Sequence, residues 1–365
     1  MNKLKIGIVG VGFIGKQHIE SIGRIHSAEV IAVCETDAKL ARSIADELGI
    51  PLSFGSVDDM INSVNLDVIH NCTPSNMHHS INKKILSAGI NVYCEKPLTL
   101  NSQDSEALIQ LVAEKNVKAA VNFNYRHNAM VEEMKERIKN KAIGDVWYIA
   151  TDYLQDWLLK QSDFDWRIET KYSGFTRAIS DIGSHCFDTL QYILGEKITA
   201  VRAKRYILHP ERQNKQGKTV VVENEDAALI QVRFESGIEA VVRVSQVTAG
   251  KKNHFTMLVE GTQAALAWDQ EIPDRLWIGH RDSGNEELFA DAKYLTGRAK
   301  DRVKLPNGHA AGWTDAFTNG IRYFYDSIID PGADVNYTDF TQAHHIMKVI
   351  DACIESDNAQ EWRTV

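Results

Sequence analysis

The chain has 365 residues, 44% of them hydrophobic and 25% charged, an ordinary globular composition with length for about two domains. A formal net charge of -8 and a pI near 5.9 argue against any general attraction to nucleic acid or anionic membrane. Charges are interspersed, the opening MNKLKIGIVG has no secretory-signal pattern, and no apolar run is long enough to span a bilayer. The five cysteines, Cys34, Cys72, Cys94, Cys186 and Cys353, lack paired spacing and read as reduced structural thiols, so a cytoplasmic location is expected.

In chain order, Lys5–Val9 is a short apolar strand and Ile14–Ile25 is helical. Glu29–Cys34 is a β-branched strand, and Ala38–Leu48 is a helix closed by Gly49. Strands at Asp67–Cys72, Asn91–Cys94 and Lys118–Asn122 alternate with helices at His79–Ala88 and Ser102–Lys115. This alternation predicts βαβ units and a doubly wound parallel sheet, a first domain over residues 1–124.

The pattern then changes. Helices are predicted at Met130–Ile138 and Asp181–Leu194, followed by strands at Ala200–Leu208, Thr219–Phe234, Ile238–Val247, His254–Glu260 and Ala264–Trp268. Gly237 and Gly261 lie where hairpin turns are needed, and 213–218 and 281–287 are predicted as exposed loops. Amphipathic helices at Asp315–Ile329 and Phe340–Glu355 close the chain. Residues 125–365 thus read as an α+β domain with an open, mainly antiparallel sheet, and its last helices have the option of packing back on the first domain.

Gly10-Val-Gly12-Phe13-Ile14-Gly15 follows the first strand and opens the first helix. In that context Gly10 permits the tight turn, Gly12 lets a pyrophosphate approach the backbone, and Gly15 allows close helix–strand packing. The helix N-terminus supplies N–H groups and a favourable dipole to phosphates. Glu35, twenty residues past Gly15, ends the second strand; Asp37 is the nearby alternative. A carboxylate there accepts hydrogen bonds from ribose hydroxyls and repels a 2′-phosphate, so NAD is expected over NADP.

Two further patterns follow. Glu95-Lys96-Pro97 ends a strand at the carboxyl edge of the sheet, where open α/β folds bind ligands. In Asp181-Ile-Gly-Ser-His185-Cys-Phe-Asp188, the i, i+4 spacing puts carboxylate and imidazole on one helical face.

Together with Thr73-Pro74-Ser-Asn76-Met-His78, these motifs resemble, in order along the whole chain, the glucose–fructose oxidoreductase/inositol dehydrogenase (Gfo/Idh/MocA) family. A looser similarity to its sugar and glycoside dehydrogenase members, the levoglucosan dehydrogenase-like group, rests on Tyr153–Leu158, Trp268–Glu271, Leu276–Arg281 and Gly308–Trp313. Glu35 stands where many relatives carry Asp, and the longer side chain leaves the 2′-phosphate repulsion intact. The resemblance implies a Rossmann domain, a sheet domain that often mediates oligomerisation, a homodimer or homotetramer, and a small polyhydroxylated substrate. It also implies cofactor contacts from Gly10, Gly12, Phe13, Ile14, Gly15, Glu35, Thr73, Pro74, Asn76, His78, Glu95 and Lys96.

Oxidising an alcohol with NAD requires a base for the hydroxyl proton, and neutral imidazole suits that work near neutral pH. His185 is expected as general acid/base, Asp181 as its orienting partner, and, by resemblance, Lys96 as the ammonium that favours a developing alkoxide. Tyr125, Arg126, Gln155, Trp157, Trp166, Arg167 and His309 offer polar groups and aromatic walls for a polyol, with Lys96, Asp181 and His185 beside it. Trp157 and Trp166 suit a domain core equally well, and the two arginines would also suit a sugar acid. No metal is expected: His78-His79 and His344-His345 are adjacent pairs that make poor chelates, and neither HExxH nor CxxC occurs. The family also contains enzymes that retain NAD for redox-assisted hydrolysis or epimerisation, and non-catalytic sensors; Lys96, Asp181 and His185 together favour a dehydrogenase.

Overall fold

The computed structural model describes residues 3–214, 216–306, 308–334 and 336–365. The chain divides into two compact units, Met1–Phe123 with Phe317–Met347, and Asn124–Ala316 with Lys348–Val365. The division falls within the helices Trp313–Ile329 and Phe340–Ala359.

In the first unit, β1 (Leu4–Val9), α1 (Phe13–Gly23), β2 (Ala28–Cys34), α2 (Ala38–Leu48), β3 (Leu52–Phe54) and α3 (Val57–Ser63) come first. They are followed by β4 (Val68–Asn71), α4 (Ser75–Ser87), β5 (Asn91–Cys94), α5 (Ser102–Lys115) and β6 (Ala119–Val121). The six strands are parallel in the order β3-β2-β1-β4-β5-β6, extended at β6 by the antiparallel pair Thr338–Asp339. Ile6, Ile8, Val33 and Ile69 are fully buried, as expected of strands covered on both faces. The order reverses between β1 and β4, the place where such sheets bind ligands beyond their strand ends.

In the second unit, β7 (Val146–Leu154), β8 (Ile198–Tyr206), β9 (Glu211–Gln213), β10 (Thr219–Val221), β11 (Ala227–Phe234) and β12 (Glu239–Ser245) precede a meander. That meander is β13 (His254–Gly261), β14 (Ala265–Asp269), β15 (Arg275–Gly279) and β16 (Glu286–Phe289). The large sheet has the order β16-β15-β14-β13-β7-β12-β11-β8, closed by the C-terminal pair Arg363–Thr364. It is antiparallel except where β7 lies parallel to β12. In β11 the residues alternate between buried and exposed, so one face is covered and the other is not.

Several expected elements change. The strand predicted over Thr219–Phe234 is two strands, β10 and β11, because the intervening Asn224, Glu225 and Asp226 turn inward and are buried. β16 occupies the end of the loop predicted at 281–287. The loop predicted at 213–218 joins β9 to β10, with Lys215 outside the described residues. Gly237 makes its hairpin with φ +89°. Gly261 is needed for a different reason: a Cβ there would stand 2.1 Å from the Ile143 carbonyl oxygen. The helix predicted over Asp181–Leu194 begins as a π-helical turn, Ile179–Gly183, and continues as the α-helix Ser184–Leu194.

Candidate active site

The glycine loop is shaped by backbone demands. Gly10 has φ +84°, and a Cβ there would meet the Cys72 backbone at 2.9 Å. A Cβ on Gly15 would lie 2.1 Å from the Gly10 carbonyl oxygen, so only glycine lets α1 start this close to β1. Around Gly12 nothing stands within 4 Å of an added Cβ, leaving open space over the start of α1. Gly12 caps α1 without a side-chain bond, so the first N–H groups face that space. Phe13 beside it is 79% exposed and Ile14 is half-buried. The Glu35 carboxylate accepts the Val11 N–H, which places it against the glycine loop. Asp37 instead caps α2 by accepting Lys39 N–H at 2.8 Å and Leu40 N–H at 3.3 Å. The open cradle, the helix terminus and the nearby carboxylate fit the diphosphate and adenosine ribose of NAD.

The loops after β4 and β5 are braced together. The His78 ring nitrogens stand 2.7 Å from the Pro97 carbonyl and 2.8 Å from the Thr73 carbonyl, joining the TPSNMH and EKP segments. Burial is the largest influence on this ring and lowers its pKa. The Thr73 hydroxyl donates to Asn71 Oδ1 at 2.7 Å, while Pro74 and Asn76 at the start of α4 are exposed. Lys96 is half-buried and precedes Pro97 through a cis peptide bond. Glu95 corrects its expected role as a cofactor contact. Its carboxylate is 6% exposed and turned inward, accepting from His18 Nε2 at 3.0 Å, Asn122 Nδ2 at 2.6 Å and the Lys96 N–H at 3.2 Å. These donors outweigh the burial that opposes them and hold its pKa at about 2.

In the second unit, Asp181 lies in the π-turn and His185 in the first turn of the following helix. A π-turn widens the helix locally, a feature frequent at functional sites. The turn is held from outside: the buried Glu225 carboxylate accepts the N–H groups of Arg177 at 2.9 Å and Ile179 at 2.8 Å. Burial pushes the Glu225 carboxyl up. Next to it, Asp226 pairs with the fully buried Arg177 and with Arg212 at 3.0 Å. The buried Gln246, just beyond β12, donates to Asp181 Oδ2 at 2.8 Å, and Arg167 Nε lies 3.7 Å from Asp181 Oδ1.

His185 is 5% exposed and rests edge-on against Tyr125, ring centroids 4.8 Å apart. From Tyr125 a hydrogen-bonded polar array extends. Its hydroxyl meets that of Tyr153 at 2.8 Å, Tyr153 donates to Asn253 Oδ1 at 2.7 Å, and Asn253 Nδ2 returns to Tyr125 at 3.0 Å. Gln155 Nε2 reaches Asn253 Oδ1 at 3.2 Å, and the Trp157 indole donates to Gln155 Oε1 at 2.7 Å. The Trp313 indole also bonds the Tyr125 hydroxyl. Burial pushes both phenols up, so they stay neutral and serve as donors and acceptors. This gathers Tyr125, Gln155, Trp157 and His185 from the expected set and adds Tyr153, Asn253, Trp313 and Gln246. Asn253 and Gln246 lie in ordinary polar sequence and carry no motif.

Among the other expected residues, Arg167 also stands beside Asp181, 3.7 Å away. Arg126 is a correction: it is buried and grips Asp188 with Nε at 2.8 Å and Nη2 at 2.5 Å, with Tyr192 under its guanidinium. Its Nε and Nη2 donors serve an internal ion pair. Arg167 stacks on Trp166 at 4.3 Å and bonds Asp165 at 3.1 Å. Trp157 also packs on the small core of Leu158, Ile168 and Val222. His309 is exposed, its ring on the Pro306 carbonyl at 3.0 Å. Among the described residues, one group brings three metal-ligating atoms within 4.8 Å, His254 with Asp269 and Glu271, and in it His254 Nδ1 stands 3.3 Å from Glu271 Oε2.

A glycine-loop doubly wound sheet followed by a largely antiparallel sheet carrying a half-buried Asp181 and a buried His185 has the features of a dinucleotide-linked oxidoreductase. Comparison with known proteins agrees. Residues 4–123 match the model of an oxidoreductase family with an NAD-binding Rossmann fold, and residues 131–267 match the GFO/IDH/MocA C-terminal domain. The two matches cover more than two thirds of the chain, which belongs to the Gfo/Idh/MocA family and is an enzyme of its dehydrogenase type. The chain is 27% identical to a levoglucosan dehydrogenase of Pseudarthrobacter phenanthrenivorans, over 99% of this chain and 98% of that one. It is likewise 27% identical to a glucose-6-phosphate 3-dehydrogenase of Bacillus subtilis, over 99% and 98%. A solved levoglucosan dehydrogenase in complex with NADH and L-sorbose superposes with a TM-score of 0.92 at 25% identity, covering 100% of this chain and 99% of that one.

Proposed function

We propose that the protein oxidises a secondary hydroxyl carbon of a sugar, glycoside or inositol, using NAD in preference to NADP. The observation that carries this reading is the array behind His185: a buried imidazole set against Tyr125, continued by Tyr153, Asn253, Gln155 and Trp157. Neutral hydroxyls, amides and an indole in one hydrogen-bonded surface suit a ligand rich in hydroxyl groups, and aromatic rings suit its C–H faces. The names of the relatives, which include dehydrogenases of levoglucosan, glucose-6-phosphate and myo-inositol, support the same substrate class.

In this reading, Gly10, Gly12, Gly15 and the start of α1 hold the diphosphate, and Glu35 accepts from the adenosine ribose and repels a 2′-phosphate. NAD, when bound, supplies the hydride acceptor. His185 takes the hydroxyl proton, Asp181 orients it and bonds a neighbouring hydroxyl, and the Lys96 ammonium favours the alkoxide. We read the enzyme as cytoplasmic, in keeping with five buried free thiols, and as a homodimer or homotetramer. The exposed Trp277 and Leu229 on the large sheet, with Ile272 in the turn before β15, support assembly. No described helix is long and apolar enough to cross a membrane.

The test is NADH formation by the purified protein across inositols, monosaccharides, glycosides, sugar phosphates and levoglucosan, with NADP in parallel. Turnover confined to one polyol class with NAD supports the proposal. Silence on every class from protein that still binds NAD would overturn it in favour of a retained cofactor or a sensor.

A further inference from the structure

The first unit contains a row of buried polar side chains that binding of a dinucleotide does not explain. Tyr325, from the helix Trp313–Ile329, has its hydroxyl 2.7 Å from His70 Nε2 on β4. His70 Nδ1 is 2.7 Å from His18 Nδ1 on α1, and His18 Nε2 is 3.0 Å from Glu95 Oε1 at the end of β5. Tyr325, His70 and His18 are all fully buried. Packing alone is satisfied more cheaply by apolar side chains, because each buried polar atom must find a partner.

The partners match in one direction. The ionised Glu95 can only accept, so His18 Nε2 carries the proton in that contact. Two Nδ1 atoms face each other, so one of the pair is protonated and the other accepts. Burial holds His70 well below the usual histidine range, which keeps it neutral. Around the row, Tyr93 stacks on His70 at 4.9 Å and Phe317 sets its edge against His18 at 4.8 Å, so the two imidazoles have fixed planes. At the near end, Glu95 uses its second oxygen to accept the Lys96 backbone N–H at 3.2 Å.

We propose that Tyr325, His70 and His18 are positioning residues that orient the Glu95 carboxylate and through it fix the backbone of Lys96. The catalytic importance of Lys96 rests on the function proposed above; the positioning itself does not. A hydrogen-bonded row of four groups resists rotation of Glu95 more than one donor can, because each ring is oriented by the next. The design corresponds to the outer partners that orient the ligands of a metal or the base of a catalytic triad.

The direct readout is hydrogen exchange at the Lys96 backbone amide in the full-length protein, measured for wild type, His18→Leu, His18→Gln and Tyr325→Phe. His18→Leu removes one of the two side-chain donors to Glu95, leaving Asn122, and should speed exchange by about tenfold, the loss of one charge-assisted hydrogen bond. His18→Gln, whose amide nitrogen reaches the Nε2 position, should stay within about threefold of wild type. Tyr325→Phe keeps its ring and fold and should give a smaller acceleration of the same sign. Turnover should follow the same order through kcat, with substrate KM little changed. Unchanged exchange in His18→Leu, or equal acceleration in the Leu and Gln variants, would overturn the proposal. If His18→Leu does not fold, unchanged exchange in Tyr325→Phe does so. A wild type inactive on every polyol would sink the proposed function while the exchange data still decide the positioning.

Discussion

The two units build their parts of the chemistry by different means. In the first, the cofactor cradle is made of backbone: a left-handed Gly10, a Gly15 that admits no Cβ, and the uncapped start of α1. In the second, the groups proposed to act on substrate are positioned by side chains far apart in sequence: Glu225 caps the turn of Asp181, Gln246 holds its carboxylate, and Asn253 ties Tyr125 to Tyr153. Backbone requirements leave a short, regular signature in the sequence. Side-chain networks leave none, because any amide or hydroxyl arriving from another strand can complete them. The first unit should therefore fail abruptly on small changes, and the second by degrees.

The largest effect is expected at Gly15. Gly15→Ala puts a Cβ against the Gly10 carbonyl, so NAD affinity should fall by at least about a hundredfold in a fluorescence titration, as overpacking costs a few kcal/mol. Near-normal binding would show that the loop relaxes and that the contrast is false. Gln246→Leu should act next. It removes a 2.8 Å hydrogen bond to Asp181 without touching the glycine loop, so kcat should drop about tenfold while NAD affinity holds. A matching loss of NAD affinity would show that the effect is not local. The smallest change is expected from Glu35→Ser, which should leave NAD turnover within a few-fold and raise NADP use about tenfold, as seen in kcat/KM for the two cofactors. An unchanged ratio would remove Glu35 from ribose recognition.

The same contrast explains what could be read from the sequence. The first sheet and its glycine loop were legible because buried parallel strands are continuous apolar runs and the loop has fixed spacing. β3 was not, since three residues with an exposed Leu52 carry no periodicity. β7 was missed although Val146–Leu154 is rich in β-branched and aromatic residues. Its alternation is blurred by Trp147, which is 59% exposed at its start, and by neighbours on both sides that the local sequence does not name. The Asp181–His185 spacing was visible, but the π-turn under it was not, because its cause is the distant Glu225. Arg126 has the sequence features of a substrate group, but in the fold Asp188, sixty-two positions on, occupies its Nε and Nη2 donors. Glu95 sat within a recognisable motif, yet its inward orientation depends on His18 and Asn122 from other elements.

In the function proposed above, proton transfer resides in the second unit while cofactor affinity resides in the first. The measurement that tests it most directly is a paired one on His185→Ala: equilibrium NAD binding, and turnover on the best polyol from the substrate panel. The expected result is a loss of turnover on the order of a hundredfold or more, with the NAD dissociation constant within about threefold of wild type. Normal turnover with weakened NAD binding would contradict both the role of His185 and the division of labour between the units.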